Sequence, residues 1–177
     1  SLKPTNGTGD LNFSRASSAT RVNSEGLIEE ASVLGSELIL NGDFDGNANN
    51  WTLDSGVTYG SNNLVFATDS NQKATQTQTF TVGKTYRVSV ELLAYTSGII
   101  TVRMGSVPQV ITTDIGVKTW DIVATGNLAR IEGTFGIGLY ATIDNVSVKE
   151  VITSNVPRID YSNGCGSLLL EKQSTNL

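Results

Sequence analysis

The stretch Tyr86-Arg87-Val88-Ser89-Val90-Glu91-Leu92 decides the fold of this chain. Its apolar and polar residues alternate strictly, and a period of two is typical of a β-strand with one buried face and one solvated face. The residues predicted to enter a core are Tyr86, Val88, Val90 and Leu92. The residues predicted to face water are Arg87, Ser89 and Glu91.

Similar short runs occur on both sides of this stretch, and turn-forming Asn, Asp and Gly residues separate them. The predicted strands are Glu37–Leu40, Leu64–Ala67, Ala74–Thr81, Thr85–Ala94, Gly98–Met104, Gln109–Thr113, Thr119–Ala124, Ala129–Phe135 and Ile137–Val148. Residues 74–79 have no apolar face, which predicts an edge or rim strand. Many short strands separated by turns indicate a β-sandwich or barrel.

The composition supports an all-β fold. Thr, Gly, Ser and Asn make up 72 of the 177 residues, and these are residues of turns and strands rather than of helices. Hydrophobic residues make up 38% of the chain, which is enough for a core. We therefore expect a folded all-β domain.

The composition also excludes several classes of function. The chain has no His, which removes imidazole bases, Ser-His and Cys-His pairs and the common zinc sites. A net charge of −5 disfavours nucleic acid as a partner. No apolar run is long enough to span a bilayer and no signal peptide opens the sequence, so we expect a soluble protein without a membrane partner. The single Cys165 allows no internal disulfide.

The two ends of the chain differ from its middle. Residues 1–35 are polar and irregular, and residues 151–177 have the same character. We expect an N-terminal arm (1–35), a β-domain (36–150) and a C-terminal arm (151–177) that pairs with the N-terminal segment. Because the sequence stops just after the triplet Leu168-Leu169-Leu170, we expect a longer parent chain.

Three motifs of the β-domain resemble one family. They are Leu38-Ile39-Leu40-Asn41-Gly42-Asp43-Phe44 followed by Trp51, the run Gln78-Thr79-Phe80-Thr81-Val82-Gly83-Lys84-Thr85-Tyr86-Arg87-Val88-Ser89, and Ala141-Thr142-Ile143-Asp144-Asn145-Val146-Ser147-Val148. In this order and spacing they are similar to carbohydrate-binding modules with a galactose-binding-like jelly roll. The resemblance implies a jelly-roll β-sandwich over residues 36–150, with Trp51 and Trp120 as core aromatics.

The flanks resemble a different family. Residues 13–29 (FSRASSATRVNSEGLIE) and residues 155–171 (NVPRIDYSNGCGSLLLE) look like a segment found in virion and tail proteins of bacteriophages of gut bacteria. This resemblance implies a jelly roll inserted into a phage structural protein, located on the virion surface or tail. It also implies contacts with other virion subunits, and we expect a homo-oligomer.

A sugar site needs planar polar side chains for hydroxyl groups and aromatic faces for stacking. The candidate glycan-binding residues are predicted to share the non-core face of the central strands, with two tyrosines in adjoining turns. On the shared face they are Arg87, Glu91, Arg103, Gln109 and Tyr140, and in the turns they are Tyr59 and Tyr95. A merely solvated face has the same composition, so the two interpretations stay open.

The first resemblance also implies a structural Ca²⁺ ion between the first and last strands. The residues that match are Asn41, Asp43 and Asp144, whose hard oxygen atoms suit Ca²⁺. The alternative is that the acidic residues only form turns and cap a loop. No other cofactor is expected.

No pair of carboxylates is marked as a buried acid and its base, so we expect no enzyme. Our interpretation is a non-catalytic glycan-binding adhesion module of a phage structural protein, whose partner is a surface polysaccharide or a mucin glycan. The alternative is an architectural decoration or spacer domain without a ligand.

Overall fold

The computed structural model describes residues 19–22, 25, 28–68, 72–78, 80–111, 113–133, 139–153, 159–160 and 167–168. The chain divides into two compact units. Unit 1 comprises Ser1–Val33 and Ile152–Leu177, and unit 2 comprises Leu34–Val151. Cys165 and most of both terminal arms lie outside the described residues.

The described residues form strands and no helix. The strands are β1 (Ala19–Val22), β2 (Ile28–Ala31), β3 (Val33–Glu37), β4 (Thr52–Leu53), β5 (Val57–Gly60), β6 (Asn63–Thr68), β7 (Lys73–Thr77), β8 (Thr85–Ser97), β9 (Ile100–Met104), β10 (Val107–Val110), β11 (Gly116–Val123), β12 (Leu128–Gly133), β13 (Leu139–Ile152), β14 (Ile159–Asp160) and β15 (Ser167–Leu168). None of the described residues belongs to a helix long and apolar enough to cross a membrane.

Unit 2 is a sandwich of two antiparallel sheets. One sheet has the strand order β10-β9-β12-β7-β4, and the other has the order β11-β8-β13-β6-β5, with β3 also pairing with β13. Apolar side chains of both sheets form a single buried cluster between them. This arrangement confirms the predicted all-β jelly-roll sandwich.

The alternation in β8 has the predicted consequence. Tyr86, Val88, Val90 and Leu92 are each at most 1% exposed, whereas Arg87 and Glu91 are only partly buried. The hydroxyl of Tyr86 accepts a hydrogen bond from the backbone N–H of Thr81 at 2.8 Å, and its ring packs edge-on against Phe80. The second motif therefore builds core and turn.

The first and third motifs meet at one point of the six-stranded sheet. The backbone N–H of Val146 donates to the carbonyl of Gly42 at 2.8 Å, beside a bulge where Asn145 has a φ of 48°. Trp51 donates its indole N–H to the carbonyl of Asn41 at 3.1 Å and packs on the buried ring of Phe44. The first and third motifs therefore connect the loop after β3 to β13.

The structure corrects the position of β7. It lies between β12 and β4, so the predicted edge or rim strand is wrong. Gln76 is 3% exposed, its side-chain oxygen accepts from the N–H of Leu40 at 2.8 Å and its amide donates to the carbonyl of Leu40 at 2.9 Å. A polar residue is stable inside the sheet because both of its polar atoms are hydrogen-bonded.

Three smaller differences concern strand bounds. The predicted strand Glu37–Leu40 is displaced, since β3 ends at Glu37, and the short strands β4 and β5 were not predicted. The terminal arms, expected to be irregular, contain antiparallel pairs in their described parts, β1 with β2 and β14 with β15. The sequence did not predict these strands because many of their residues are polar, and alternation indicates a strand only where one face is apolar.

Candidate functional site

The outer face of the six-stranded sheet carries a continuous polar surface, which we call the polar face. Its side chains are Arg87, Ser89 and Glu91 of β8, Thr119 and Asp121 of β11, and Ser147 and Lys149 of β13. The register places Asp121 and Lys149 on either side of Arg87. Rigid strands therefore hold charged and hydroxyl side chains in rows.

Arg87 and Asp121 form a two-pronged ion pair at one end of the polar face. The Nε and Nη2 atoms of Arg87 each lie 2.8 Å from a carboxylate oxygen of Asp121. The hydrogen bond from Arg87 lowers the pKa of Asp121, and the same bond raises the pKa of Arg87. Both groups stay ionised, and both side chains are 41% exposed, so a ligand can reach them.

Glu91 lies beside the bulge of β13. The side-chain amide of Asn145 donates to Glu91 at 2.6 Å, and the backbone N–H of Asn145 donates to Asp144 at 2.7 Å. Burial raises the pKa of Asp144, the bond from Asn145 opposes this, and the nearby carboxylates of Glu91 and Asp43 raise it further. The bulge therefore gathers acidic groups that repel one another.

An open groove of about 380 Å³ lies next to the polar face, and we call it the β13 groove. It is lined by Glu37, Ile39, Asn41, Gly42, Asp43, Asn145, Val146, Ser147 and Lys149. The lining combines carboxylate, amide, hydroxyl and ammonium groups, which together both donate and accept hydrogen bonds. No aromatic ring is among the lining residues.

Glu37 is the best-anchored side chain of the β13 groove. One carboxylate oxygen accepts from the backbone N–H groups of Ile39 at 3.0 Å and Val148 at 2.8 Å. The other accepts from the hydroxyl of Ser147 at 2.5 Å, and the Lys149 ammonium lies 3.9 Å from it. Glu37 therefore fastens β3 to β13 and positions Lys149.

The predicted glycan-binding residues do not form one site. Arg87 and Glu91 lie on the polar face. Tyr140 lies on the same sheet but pairs with Ser97, about 30 Å from Arg87 at ~3.3 Å per residue of β8. A single sugar ring therefore cannot contact both Arg87 and Tyr140.

The other two tyrosines are committed to local bonds. The hydroxyl of Tyr59 is 2.9 Å from the side-chain oxygen of Asn62. The hydroxyl of Tyr95 donates to the carbonyl of Gly98 at 2.7 Å, and its ring packs against the core. Neither ring lines the β13 groove.

Arg103 and Gln109 belong to the five-stranded sheet, on the other side of the sandwich from Arg87. The assumption that they share a face with Arg87 and Glu91 is therefore wrong. Arg103 forms an ion pair with Glu132 of β12, while Gln109 is the register partner of the buried Val102. Alternation correctly predicted that Arg103 points outward, but the register puts Gln109 on the same face as the buried Val102, so its predicted outward direction is wrong. Strand pairing decides to which sheet each side chain belongs.

Sequence reasoning did not single out Asn145, Ser147 and Lys149 as ligand candidates. The third motif contains the first two, and their conformation depends on the bulge at Asn145. A detectable signal was the Asn itself, since Asn tolerates the left-handed conformation better than most residues. Lys149 gave no signal beyond its charge.

The residues predicted to bind Ca²⁺ lie around the same bulge. Asn41 and Asp43 line the β13 groove, and the carboxylate of Asp43 is close enough to Asp144 to raise its pKa. The amide of Asn41 donates to the carbonyls of Asn47 and Asn49, each at 3.0–3.1 Å. The described residues contain no group of three or more acidic, His or Cys side chains that could hold a metal ion, so Ca²⁺ binding stays a prediction.

The three carboxylates Glu91, Glu132 and Asp121 do not form the pair that a hydrolase would require. Glu91 faces outward from the six-stranded sheet, while Glu132 belongs to the five-stranded sheet. Asp121 is neutralised by Arg87 at 2.8 Å. Glycoside hydrolysis needs two carboxyl groups about 5–10 Å apart across one bond, and these residues do not supply them.

No protein-family model and no curated protein sequence matches this chain. A solved structure described as "CBM4 structure and function" is similar over 63% of this chain and 99% of its own, with 19% identity and a TM-score of 0.44. Identity and TM-score are both too low to assign a family or a ligand to this chain.

Proposed function

We propose that unit 2 is a non-catalytic glycan-binding module that uses the polar face and the β13 groove. The observation that carries the proposal is an open groove of about 380 Å³ whose lining offers hydrogen-bond donors and acceptors side by side. Sugar hydroxyl groups both donate and accept, so such a lining matches them. Rigid strands position these groups, which reduces the entropy cost of binding.

The groove lacks a stacking ring, so a single site is expected to bind weakly. Many copies on one particle would raise the effective affinity, because linked sites rebind before the particle leaves. We therefore propose that the module acts in a homo-oligomeric phage tail or virion surface protein. The support for a phage origin is the resemblance of residues 13–29 and 155–171 to virion protein segments. Sequencing the parent gene and its neighbours tests it, and neighbouring virion structural genes are expected.

The binding test is a glycan array probed with the full chain, covering bacterial surface polysaccharides and mucin glycans. Lys149→Ala removes a cation that lines the groove, and we expect it to weaken binding at least about fivefold, as for the loss of a charged hydrogen bond. Lys84→Ala is the matched control, because Lys84 is also an exposed cation paired with one carboxylate, Glu150, but does not line the groove. An array without signal, or equal effects of both substitutions, contradicts the proposal.

Ca²⁺ at Asn41, Asp43 and Asp144 is a separate proposal, supported by their location around one bulge. A bound ion stabilises the folded state by about 2.7 kcal/mol at a hundredfold excess over its dissociation constant. Excess CaCl₂ added after EDTA should therefore raise the unfolding midpoint of the native chain but not that of Asp144→Ala. Equal midpoints with and without Ca²⁺ contradict it.

One observation favours the architectural alternative. In the described part of the chain β11 is an edge strand, and its Val117 and Val123 are 62% and 51% exposed beside the polar face. Exposed apolar residues on an edge strand suit contact with another subunit. If Val117→Ser changes the sedimentation coefficient of the chain while the glycan array stays silent, the architectural function is favoured.

A further inference from the structure

Two arginines lie directly opposite each other on the outer face of the five-stranded sheet. Arg130 of β12 is the register partner of Arg103 of β9. Side chains at directly opposed positions are about 5 Å apart at Cβ, and like charges at such positions destabilise a sheet. The repulsion between the two guanidinium groups must therefore be reduced by a nearby negative charge, either from the protein or from a bound ligand.

Glu132 compensates part of the repulsion. Its carboxylate lies between both side chains, with Oε1 in an ion pair with Nε of Arg103 and Oε2 3.0 Å from Nε of Arg130. Glu132 is only 8% exposed, so this charge is held in place rather than solvated. One carboxylate for two guanidinium groups leaves the cluster with one positive charge.

The ion pairs leave the outer ends of the arginines available. Both Nε atoms are buried, whereas the side chains of Arg103 and Arg130 are 28% and 27% exposed. The exposure therefore comes from atoms of these side chains other than Nε. Nη1 of Arg103 also donates to the carbonyl of Ser106 at 3.2 Å. Among the described residues, the Nη groups of Arg130 have no hydrogen-bond acceptor.

The surroundings of the arginine pair are cationic and rich in hydroxyl groups. Lys73 is the register partner of Glu132. A second acidic residue, Asp54, lies next to Lys73, because its backbone N–H donates to the carbonyl of Lys73. Thr75 and Thr52 continue the row from Arg130 across the sheet. Among the described residues, the three cations Arg103, Arg130 and Lys73 therefore stand against two carboxylates on this face, although the chain carries a net charge of −5.

The two outer faces of the sandwich thus differ in charge. The polar face and β13 groove carry two cations, Arg87 and Lys149. Their acidic residues, with those of the adjoining bulge, are Glu37, Asp43, Glu91, Asp121 and Asp144. A polyanion is repelled there and attracted to the arginine pair.

We propose that Arg103 and Arg130 bind the carboxylate groups of an acidic polysaccharide, one that contains uronic acid residues. The proposal rests on the proposed glycan-binding function but places a second site on the opposite sheet. A guanidinium group binds a carboxylate through two parallel N–H···O bonds, and Glu132 holds both groups in one orientation. The hydroxyl groups of Thr75 and Thr52 are positioned for the neighbouring sugar hydroxyls.

The test measures binding of the full chain to polygalacturonate and to its fully methyl-esterified form, both in EDTA. The two polymers share a backbone and differ in carboxylate charge. We expect binding to polygalacturonate that weakens with added salt, and at least about tenfold weaker binding to the ester. Arg130→Gln should lower affinity for polygalacturonate about tenfold, and Arg130→Lys should lower it less, because Lys keeps the charge without the planar fork.

Lys84→Gln is the matched control, since it removes the same charge at a position outside both the arginine pair and the β13 groove. Unchanged binding in Arg130→Gln, or an equal loss in Lys84→Gln, overturns the proposal, as does equal affinity for the ester. If Arg130→Gln fails to fold, the test rests on Arg130→Lys. Unchanged affinity of Arg130→Lys for polygalacturonate then overturns the proposal. Inorganic polyphosphate bound as tightly as polygalacturonate, and lost in Arg130→Gln, would show a general anion site and overturn the carboxylate assignment.

The outcomes separate this inference from the proposed function. Loss of neutral glycan binding in Lys149→Ala, with no binding of polygalacturonate, leaves the proposed function standing and overturns the inference. Binding of polygalacturonate that requires Arg130, on a chain whose neutral glycan array is silent, supports the arginine site and contradicts the β13 groove as a glycan site.

Discussion

Gly42 occupies the point where the loop after β3 meets the bulge of β13. Its carbonyl accepts the bond from the N–H of Val146 at 2.8 Å, and a Cβ atom at this position would overlap the carbonyl oxygen of Val146. Backbone atoms cannot move aside without breaking the link between the first and last strands. The glycine of the first motif is therefore required by close backbone approach.

Gly42→Ala is expected to destabilise the protein by about 3 kcal/mol, because the overlap is with backbone. Gly60→Ala is the matched control, since a Cβ at Gly60 meets no atom within 4 Å, and its effect should stay within about 0.5 kcal/mol. Chemical denaturation of both variants measures the difference. Similar midpoints for the two variants would contradict the role of Gly42.

Asp144 gives a prediction about pH. Burial and the carboxylates of Glu91 and Asp43 raise its pKa in the folded protein, above about 3.9 in the unfolded chain. Between the two values the folded state binds more protons, so the Asp144 contribution to stability falls as pH rises through this window. The charge is thus unfavourable at neutral pH.

Asp144→Asn is therefore expected to stabilise the metal-free protein by about 0.5 kcal/mol at neutral pH, and the gain should disappear in acid, where native Asp144 is protonated. The side-chain oxygen of Asn can still accept from the N–H of Asn145. Denaturation in EDTA at several pH values measures the effect, with the exposed Asp114→Asn as control. A neutral-pH loss of stability in Asp144→Asn would refute the assigned repulsion.

At the scale of elements, β7 is held by side-chain hydrogen bonds of Gln76 in addition to its backbone pairing with β12 and β4. Gln76 satisfies both the N–H and the carbonyl of Leu40, and so continues hydrogen bonding beyond the end of β3. A buried amide replaces the apolar face that the strand lacks. This explains how a run of Thr and Gln can occupy the interior of a sheet.

Gln76→Ala should destabilise the protein by about 2 kcal/mol, because it leaves two backbone groups of Leu40 without partners. Thr77→Ala in the same strand is the control, because Thr77 is exposed and should change stability by less than about 0.5 kcal/mol. Hydrogen exchange at the amide of Leu40 should accelerate in the Gln76 variant only. Unchanged exchange there would contradict the bonding role.

At the scale of the whole molecule, the described members of the buried apolar cluster belong to unit 2. Its members run from Ile39 to Val148. Unit 2 is Leu34–Val151, close to the boundaries 36–150 expected from composition. The sandwich therefore has its own core, and we propose that it is an independent domain.

A fragment of residues 34–151 is expected to fold alone, with one cooperative unfolding transition and the far-ultraviolet circular dichroism of a β-protein. Its midpoint should lie close to that of the sandwich transition in the full chain. If the fragment folds, Gly42→Ala should lower its midpoint as it does in the full chain. Loss of cooperative unfolding in the fragment would instead show that the flanks contribute to the core.

The sequence by itself determined local properties: most strands of the sandwich, their turns, and the inward or outward direction of the side chains from Tyr86 to Leu92 in β8. Periodicity carries that information because neighbouring side chains of a strand point to opposite faces. Only the tertiary structure decided that Arg87 and Arg103 leave different sheets, that Gln76 lies inside one, and that Arg103 meets Arg130 at Glu132. These facts depend on pairing between segments distant along the chain, and pairing is selected by the energy of the whole core rather than by any local pattern.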